Sequence, residues 1–336
     1  MMKELVLAIE SSCDDSSLAL MDIKTYELKY YSKISQEIEH AKYGGVVPEL
    51  AARLHTKALP DMLKNIKPFF SEIKAVAVTN EPGLSVSLAS GVAMAKSISL
   101  ALNLPLITVN HLIGHIYSLF LDSKEEFPMG VLLVSGGHTM ILYIDEGLKI
   151  NILAQTNDDS FGESFDKISK MMGFGYPGGQ IIENLAKNGD EKIYNFTVPL
   201  FHDKRLEYSF SGLKNQVRLA VESLENPTSK DYENIAASFQ KTACAHICDK
   251  LEKIFRVYKF KKFGIVGGAS ANTLLRSKIE QICTKYNSNL HLAPLKFCSD
   301  NAAMIARAAI CKYQKSEFTT IHDIQINPKS KNFFIN

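Results

Sequence analysis

ELVLAIESSCDDSSLALMDI, residues 4–23, reads as an aliphatic strand, a turn crowded with hydroxyls and carboxylates, and a returning strand. MGVLLVSGGHTMILYID, residues 129–145, repeats that arrangement with glycines in the turn. Short apolar runs rich in β-branched residues and broken by polar or glycine turns are the signature of paired strands. Working outward, LKYYSKIS (28–35) adds a third strand to the first meander. YGGVVPELAARLHTKALPDMLKNI (43–66) predicts a long helix with an internal proline, followed by the strand AVAVT (75–79). A glycine-containing loop, EPGLSVS, leads into the helix LASGVAMAKSISLAL (88–102); LPLITV (104–109) is a strand, and a helix carrying His111 and His115 starts where it ends. In the second half, KFGIVGGASANTLLRSKIEQI (262–282) gives strand, double glycine and helix. Two halves that each open on a hairpin predict a duplicated, two-lobed α/β fold with a cleft between the lobes. The expected division is 1–110, joined by the last helix and tail at about 300–336, against 111–299.

The composition is that of an ordinary globular protein, with 46% hydrophobic and 22% charged residues. A net charge of +2 means that any nucleic acid is met by a local patch or shared with a partner, not by a globally basic surface. The six cysteines include no CxxC pair, which argues against a thiolate zinc site or disulfide framework and fits a reducing compartment. Cys244 and Cys248 lie on an amphipathic helix and read as buried small residues. LVLAI is too short for a signal segment, and no uninterrupted apolar run of about 18 residues occurs, so a soluble, cytoplasmic protein without a membrane span is expected.

His111 and His115 stand at i, i+4, a spacing that stacks two imidazoles on one helix face and lets them share a metal ion. The first histidine is not followed by the glutamate that activates metal-bound water in HExxH proteases, so a metal that positions a ligand is expected over one that makes hydroxide. Asp300 immediately precedes the strong helix NAAMIARAAI and is expected as its N-cap, a position from which a carboxylate can still ligate. In VSGGHT (134–139), paired glycines let backbone approach an anion, and Ser135 and Thr139 add hydroxyls. GIVGGASAN (264–272) closes a strand and opens a helix, whose N-terminus favours an anion or an adenosine group. Glu163 and Asp166, then Tyr176–Gly179 leading to Glu183, place carboxylates beside glycine turns, a pattern suited to ribose hydroxyls or an ammonium group, or to helix capping alone. Glu49, Arg53 and His55 are expected on a solvated helix face, with a partner or RNA contact as the alternative, and Lys214 with Arg218 give a weak polyanion signal.

Together these segments resemble the TsaD family, the tRNA adenosine threonylcarbamoyltransferases. The resemblance runs in order through AIESSCDDSSLAL, YGGVVPELAARLH, VNHLIGH, LLVSGGHT, GESFDK, YPGGQ, FSGLK, GGASAN and CSDNAAMIA, nearly the full length. It departs mildly at Ser11, Asp15, Gln180 and Ala269, where the family usually reads IETSCDET, PGGP and GGVxAN. The resemblance implies an actin/sugar-kinase/Hsp70-like fold (ASKHA). It implies one divalent metal per chain, Fe2+ or Zn2+, on His111, His115 and Asp300. Val134, Ser135, Gly136, Gly137 and His138 would contact the acyl and phosphate region of the substrate, with the N–H groups of Ser135–Gly137 stabilising charge on the leaving phosphate. Asp166, Gly179, Glu183 and Asn272 would surround the ribose or adenylate in the same cleft.

The implied reaction passes the threonylcarbamoyl group of threonylcarbamoyl-AMP to N6 of the adenosine beside the anticodon in tRNAs reading ANN codons, releasing AMP. Glu10 and Asp14 are the candidate bases. The implied partners are tRNA, a TsaB-type paralogue, a TsaE-type P-loop ATPase and a separate synthase that supplies the threonylcarbamoyl-AMP. The alternative within the fold is a sugar or small-molecule kinase or ATPase, which a His–His–Asp metal site does not explain. A metalloprotease lacks its glutamate, and a non-catalytic scaffold would have no need of the metal residues or the VSGGHT turn.

Overall fold

The computed structural model describes residues 4–329 and falls into two compact units. The first comprises the described residues up to Glu125 together with those from Ala293; the second is Glu126–Leu292.

In the first unit, β1 (Leu5–Glu10), β2 (Asp15–Asp22) and β3 (Leu28–Ser35) form the predicted meander, with β1 and β2 in register from Leu5↔Asp22 to Glu10↔Ser17. The short helix α1 (Glu37–Ala41) and the long α2 (Pro48–Lys64), with Pro60 inside it, lead to β4 (Ile73–Glu81). Then come α3 (Ser85–Leu102), β5 (Leu106–Asn110) and α4 (His111–Tyr117). The sheet order is β3-β2-β1-β4-β5, antiparallel on the meander side and parallel from β1 through β5. Every residue of β1 is buried, as a central strand covered on both faces requires; its final residue is a glutamate. By length and composition α3 would cross a membrane, with a mean hydropathy of 1.4 over 18 residues. Its face Leu88, Gly91, Val92, Ala95 and Ile98 is buried, and it packs on β4 and α2, which is how a core helix of an α/β unit is read.

The second unit repeats the plan. β6 (Met129–Val134), β7 (Thr139–Ile144) and β8 (Ile150–Thr156) form a meander, followed by α5 (Phe161–Met171), α6 (Gly178–Ala186), β9 (Glu207–Tyr208) and α7 (Ser211–Glu222). The 30-residue α8 (Ser229–Tyr258) runs through the core of this unit, and β10 (Lys262–Val266), α9 (Thr273–Lys285) and β11 (Asn289–Leu292) complete it. Read in one direction the sheet is β9-β8-β7-β6-β10-β11. Without the short β9, its order and strand directions are those of the first sheet, so the duplication read from the two hairpins is real. Gly267, just after β10, has φ +93°, and a Cβ there would lie 2.2 Å from the Val134 carbonyl oxygen. Only glycine lets the double-glycine turn close against the end of β6.

The chain then returns to the first unit through α10 (Ala302–Gln314), which packs on α4, β1, β2 and β5. The units divide after Glu125 and not near residue 110. The fully buried Arg307 of α10 donates to the carbonyls of Phe120 (2.8 Å) and Ser123 (2.9 Å) and to Glu125 (2.6 Å), which binds the segment after β5 to the first unit. The return begins at Ala293, ahead of the expected 300, because Phe297 packs edge-on against Tyr31 and Ser299 accepts from Lys33. Cys244 is buried and Cys248 half-buried on α8, in keeping with their reading as core residues.

Candidate active site

Asn110 ends β5 and starts α4: its Oδ1 accepts the N–H groups of Leu112 (2.9 Å) and Ile113 (3.3 Å). This cap starts a helix of only seven residues, all buried, at a defined position. His111 and His115 therefore project from consecutive turns, their rings edge-to-face with centroids 4.7 Å apart. Asp300 Oδ1 lies 3.3 Å from His111 Nε2 and 3.2 Å from His115 Nε2, and one ligand atom from each residue falls within 4.8 Å of the others. The sequence placed Asp300 as the helix cap. In the structure Asn301 takes that role, its Oδ1 accepting from Met304 N–H at 2.9 Å, which leaves the Asp300 carboxylate to the histidines.

The electrostatics of this cluster are those of three groups competing for one positive charge. Burial alone would discourage ionisation of Asp300, yet the neighbouring His111 holds its carboxyl well below the usual range. His111, despite burial, is raised well above its ordinary value by Asp300 and Glu10. Burial pushes His115 the other way, toward the neutral imidazole. Both ring nitrogens of the fully buried His115 lack a hydrogen-bond partner, since the approach to Asp300 is close but poorly aligned. A buried imidazole with an unpaired nitrogen beside a carboxylate and a second imidazole fits a divalent cation of intermediate hardness.

Behind His111 stands Glu10, one of the two candidate bases. It is completely buried, and its oxygens accept from Ser12 N–H (2.6 Å) and the Thr79 hydroxyl and lie 3.2 Å from His111 Nδ1. Burial opposes its charge, but His111 and these donors lower its pKa overall. An ionised carboxylate with both oxygens engaged and no exposure orients His111 and has no path to a substrate proton, so Glu10 is withdrawn as a base. Asp14 is half-buried on the same turn and keeps that candidacy.

In the second unit, Val134 ends β6 and the turn to Thr139 is closed by Ser135 N–H donating to His138 O at 2.9 Å. Ser135 Oγ accepts from Gly137 N–H (3.3 Å) and His138 N–H (3.1 Å), so the amides of Ser135 and Gly137, expected to face a phosphate, are engaged within the turn. Gly136 and Gly137 are exposed, and a Cβ on either would meet nothing within 4 Å, which leaves the turn open above its backbone.

Three of the residues carried over for the adenylate are tied into the unit's own framework. Asp166 accepts Gly178 N–H at 2.7 Å, holding the first residue of α6 against α5. Glu183 accepts both the N–H (2.9 Å) and the hydroxyl of Thr273, the first residue of α9. Asn272 caps α9 through Leu275 N–H at 2.9 Å and donates to Gln240 Oε1 at 2.8 Å. Glu183, in the second turn of α6, thereby ties that helix to the first residue of α9, and a Cβ on Gly179, near the start of α6, would meet nothing within 4 Å. Of the expected basic signal, Lys214 pairs with Asp159 and Arg218 with Glu222.

Sequence reading missed Ser12, Thr79, Lys33 and Gln240. Lys33 bridges Asp15 (2.5 Å), Ser299 Oγ (3.0 Å) and the Asp300 carbonyl (3.2 Å), so it locks the acidic turn onto the segment bearing Asp300. The sequence carried no signal for it beyond its place on the third strand.

Comparison with known proteins places the chain in a family. The model of the family described as TsaD, tRNA N6-adenosine threonylcarbamoyltransferase, matches residues 30–307. The chain is 67% identical over 327 residues to the tRNA N6-adenosine threonylcarbamoyltransferase of Campylobacter fetus subsp. fetus, covering 97% of this chain and 98% of that one. It is 63% identical over 332 residues to the protein of the same name from Campylobacter jejuni subsp. jejuni, covering 99% of each. Among solved structures, full-length HypF in a phosphate- and nucleotide-bound form superposes with TM-score 0.63 at 16% identity, over 95% of this chain and 48% of that one. The (R)-2-hydroxyglutaryl-CoA dehydratase component A of Acidaminococcus fermentans gives TM-score 0.54 at 13% identity, over 93% and 99%. At such identities these two structures establish the ASKHA-like fold and nothing further.

Proposed function

The chain belongs to the tRNA N6-adenosine threonylcarbamoyltransferase family, and from that premise we propose how its own residues serve the transfer. It is an acyltransferase that modifies adenosine in tRNA. Our reading is that the donor is threonylcarbamoyl-AMP and the acceptor is the adenosine beside the anticodon of tRNAs reading ANN codons. N6 attacks the carbamoyl carbon, the bond from that carbon to the phosphate oxygen breaks, N6 loses a proton, and AMP leaves.

The observation that carries this reading is the His111–His115–Asp300 cluster with its unpaired buried nitrogens. These three residues would hold the divalent ion, Fe2+ or Zn2+ by the donor set, and three protein ligands leave positions for substrate oxygens. When bound, the ion supplies Lewis-acid attraction for the oxygens of the donor. Glu10 and Ser12 orient His111 from behind. Asp14 is our candidate to take the N6 proton. The open turn Val134–His138 would accept the acyl and phosphate region, while Asp166, Gly179, Glu183 and Asn272 would shape the adenylate side, the three bonded residues through the backbone they hold in place. Positioning supplies much of the rate, because an exocyclic amine is a poor nucleophile.

The near-neutral charge supports tRNA binding shared with a TsaB-type paralogue and a TsaE-type ATPase, with the donor made by a separate synthase in the same cytoplasm. A kinase reading is not favoured: only the fold speaks for it, and the family match is to a transferase. The test is nucleoside mass spectrometry of tRNA from cells depleted of the protein and complemented with wild type or His111→Ala. Threonylcarbamoyladenosine restored only by wild type is expected; full restoration by His111→Ala removes the metal reading of the site.

A further inference from the structure

Two buried histidines outside the cluster, His40 and His55, are joined through Gln36 into a chain whose direction is forced from both ends. At one end His40 Nδ1 receives the main-chain N–H of Val47 at 3.2 Å, so that nitrogen carries no proton. His40 Nε2 is then the protonated one and donates to Gln36 Oε1 at 3.1 Å. This orients the Gln36 amide nitrogen toward His55 Nδ1 at 3.3 Å, which also receives the Ser16 hydroxyl at 2.7 Å. At the other end His55 Nε2 lies 2.8 Å from the Cys13 carbonyl, which can only accept. Both ends demand the same tautomer, Nε2–H, in each ring, and no member can flip alone without setting donor against donor. Gln36, His40 and His55 are all at most 2% exposed, so water cannot relax the constraint.

The chain ends on the turn between β1 and β2. Every residue of that turn from Ser12 to Asp14 has its carbonyl taken: Ser12 O by Leu84 N–H (2.7 Å), Cys13 O by His55, and Asp14 O by Gln36 N–H (3.1 Å). The Ser12 hydroxyl lies 3.1 Å from His111 Nδ1. We propose that His55 is a positioning residue of the transfer reaction: as the obligate donor to Cys13 O it fixes the backbone that sets Ser12 against His111 and carries Asp14. This rests on the reading of the site given above. The relay begins in the segment between α1 and α2 that exposes Tyr43 at its surface, so the same three side chains link that surface to the turn.

Two amide substitutions separate this role from simple packing. His55→Gln keeps a nitrogen near the Nε2 position and can still donate to Cys13 O; His55→Asn keeps polar contact with Ser16 and Gln36 but falls short of Cys13. Turnover is followed with threonylcarbamoyl-AMP and an unmodified tRNA transcript in the reconstituted complex, beside wild type and His111→Ala. The expected result is kcat within about threefold of wild type for His55→Gln and a loss of about tenfold or more for His55→Asn, with KM for tRNA unchanged in both. Equal loss in the two variants, or wild-type kcat in both, overturns the proposal. Should neither variant fold, ring-nitrogen NMR on histidine-labelled wild type decides: Nε2–H in both rings is expected, and a protonated Nδ1 in His55 at neutral pH overturns it. Full turnover by His111→Ala is a different failure, since it removes the reading of the site and this inference with it while leaving the tautomers untouched.

Discussion

Gly114 sits against Ile305: a Cβ on that glycine would lie 2.7 Å from Ile305 Cδ1 and 3.3 Å from Met304 Cγ. The missing side chain lets α4 approach α10, and it is the residue immediately before His115. Gly114→Ala gains up to about 1 kcal/mol of helix propensity but overpacks a fully buried contact, which costs about 1–3 kcal/mol. A lower melting temperature and reduced turnover are expected, and Ile305→Val, which removes the offending methyl, should restore both. A variant as active and as stable as wild type without the second substitution would mean that the separation of the two helices does not matter.

On our proposal Glu10 orients His111 and Asp14 takes the proton. Glu10→Gln must turn its amide nitrogen either toward Ser12 N–H or toward the Thr79 hydroxyl and His111 Nδ1, which share the other oxygen. A fall of about 10–100-fold in single-turnover rate is expected, with the shape of the pH–rate profile unchanged. Asp14→Asn should alter that shape. A pH limb lost in the Glu10 variant and kept in the Asp14 variant would reverse the two roles.

Ion binding at the cluster should register as stability. A ligand that binds only the folded state adds about 2.7 kcal/mol at a hundredfold excess over Kd. Zn2+ or anaerobic Fe2+ is therefore expected to raise the melting temperature of wild type and to leave His115→Ala unchanged; Mg2+ should do little, since the donor set is two imidazoles and one carboxylate. Equal shifts in wild type and His115→Ala would place the ion elsewhere.

His246 on α8 links pH to folding in the second unit. It is fully buried, its Nε2 accepts Ser209 N–H at 3.1 Å, and burial, helped by Lys250, lowers its pKa to about 4. The unfolded chain binds this proton near pH 6.5 and the folded chain does not until about 4. Its contribution is present above pH 6.5 and is lost as pH falls toward 4, amounting to about 3 kcal/mol at most. His246→Gln removes the titration and can retain the acceptor. Urea unfolding at pH 7 and pH 5 should show a smaller loss for the variant than for wild type, and identical losses would show that His246 titrates normally.

Both hairpins, the double-glycine turn and the His111–His115 pair were legible in the sequence because each rests on local periodicity or spacing, whereas Asp300, far downstream, was joined to the histidines only by the family resemblance. What escaped was which partner a polar residue takes. Asp300 and Asn301 are adjacent and both cap well, so sequence could not say that Asn301 would cap and Asp300 would face the histidines. Asn272 and Glu183 look like ligand residues, yet their side chains are spent on Gln240 and Thr273, which are distant in sequence. His55 was assigned to a solvated face by its charged neighbours Glu49 and Arg53. The contrary signal was present: Ala51, His55, Leu59 and Met62 recur at helical spacing and form the buried stripe of α2.

The first unit is interrupted in sequence by the whole of the second. Residues Glu126–Leu292 are continuous, whereas α10 is needed to cover the first sheet and Asp300 to complete the cluster to which His111 and His115 belong. On the ribosome the histidines therefore emerge long before the carboxylate that completes their site, and the inserted unit can fold while its host is still open. A chain released short of Asp300 holds every residue of the second unit but lacks the carboxylate that completes the His111–His115–Asp300 cluster.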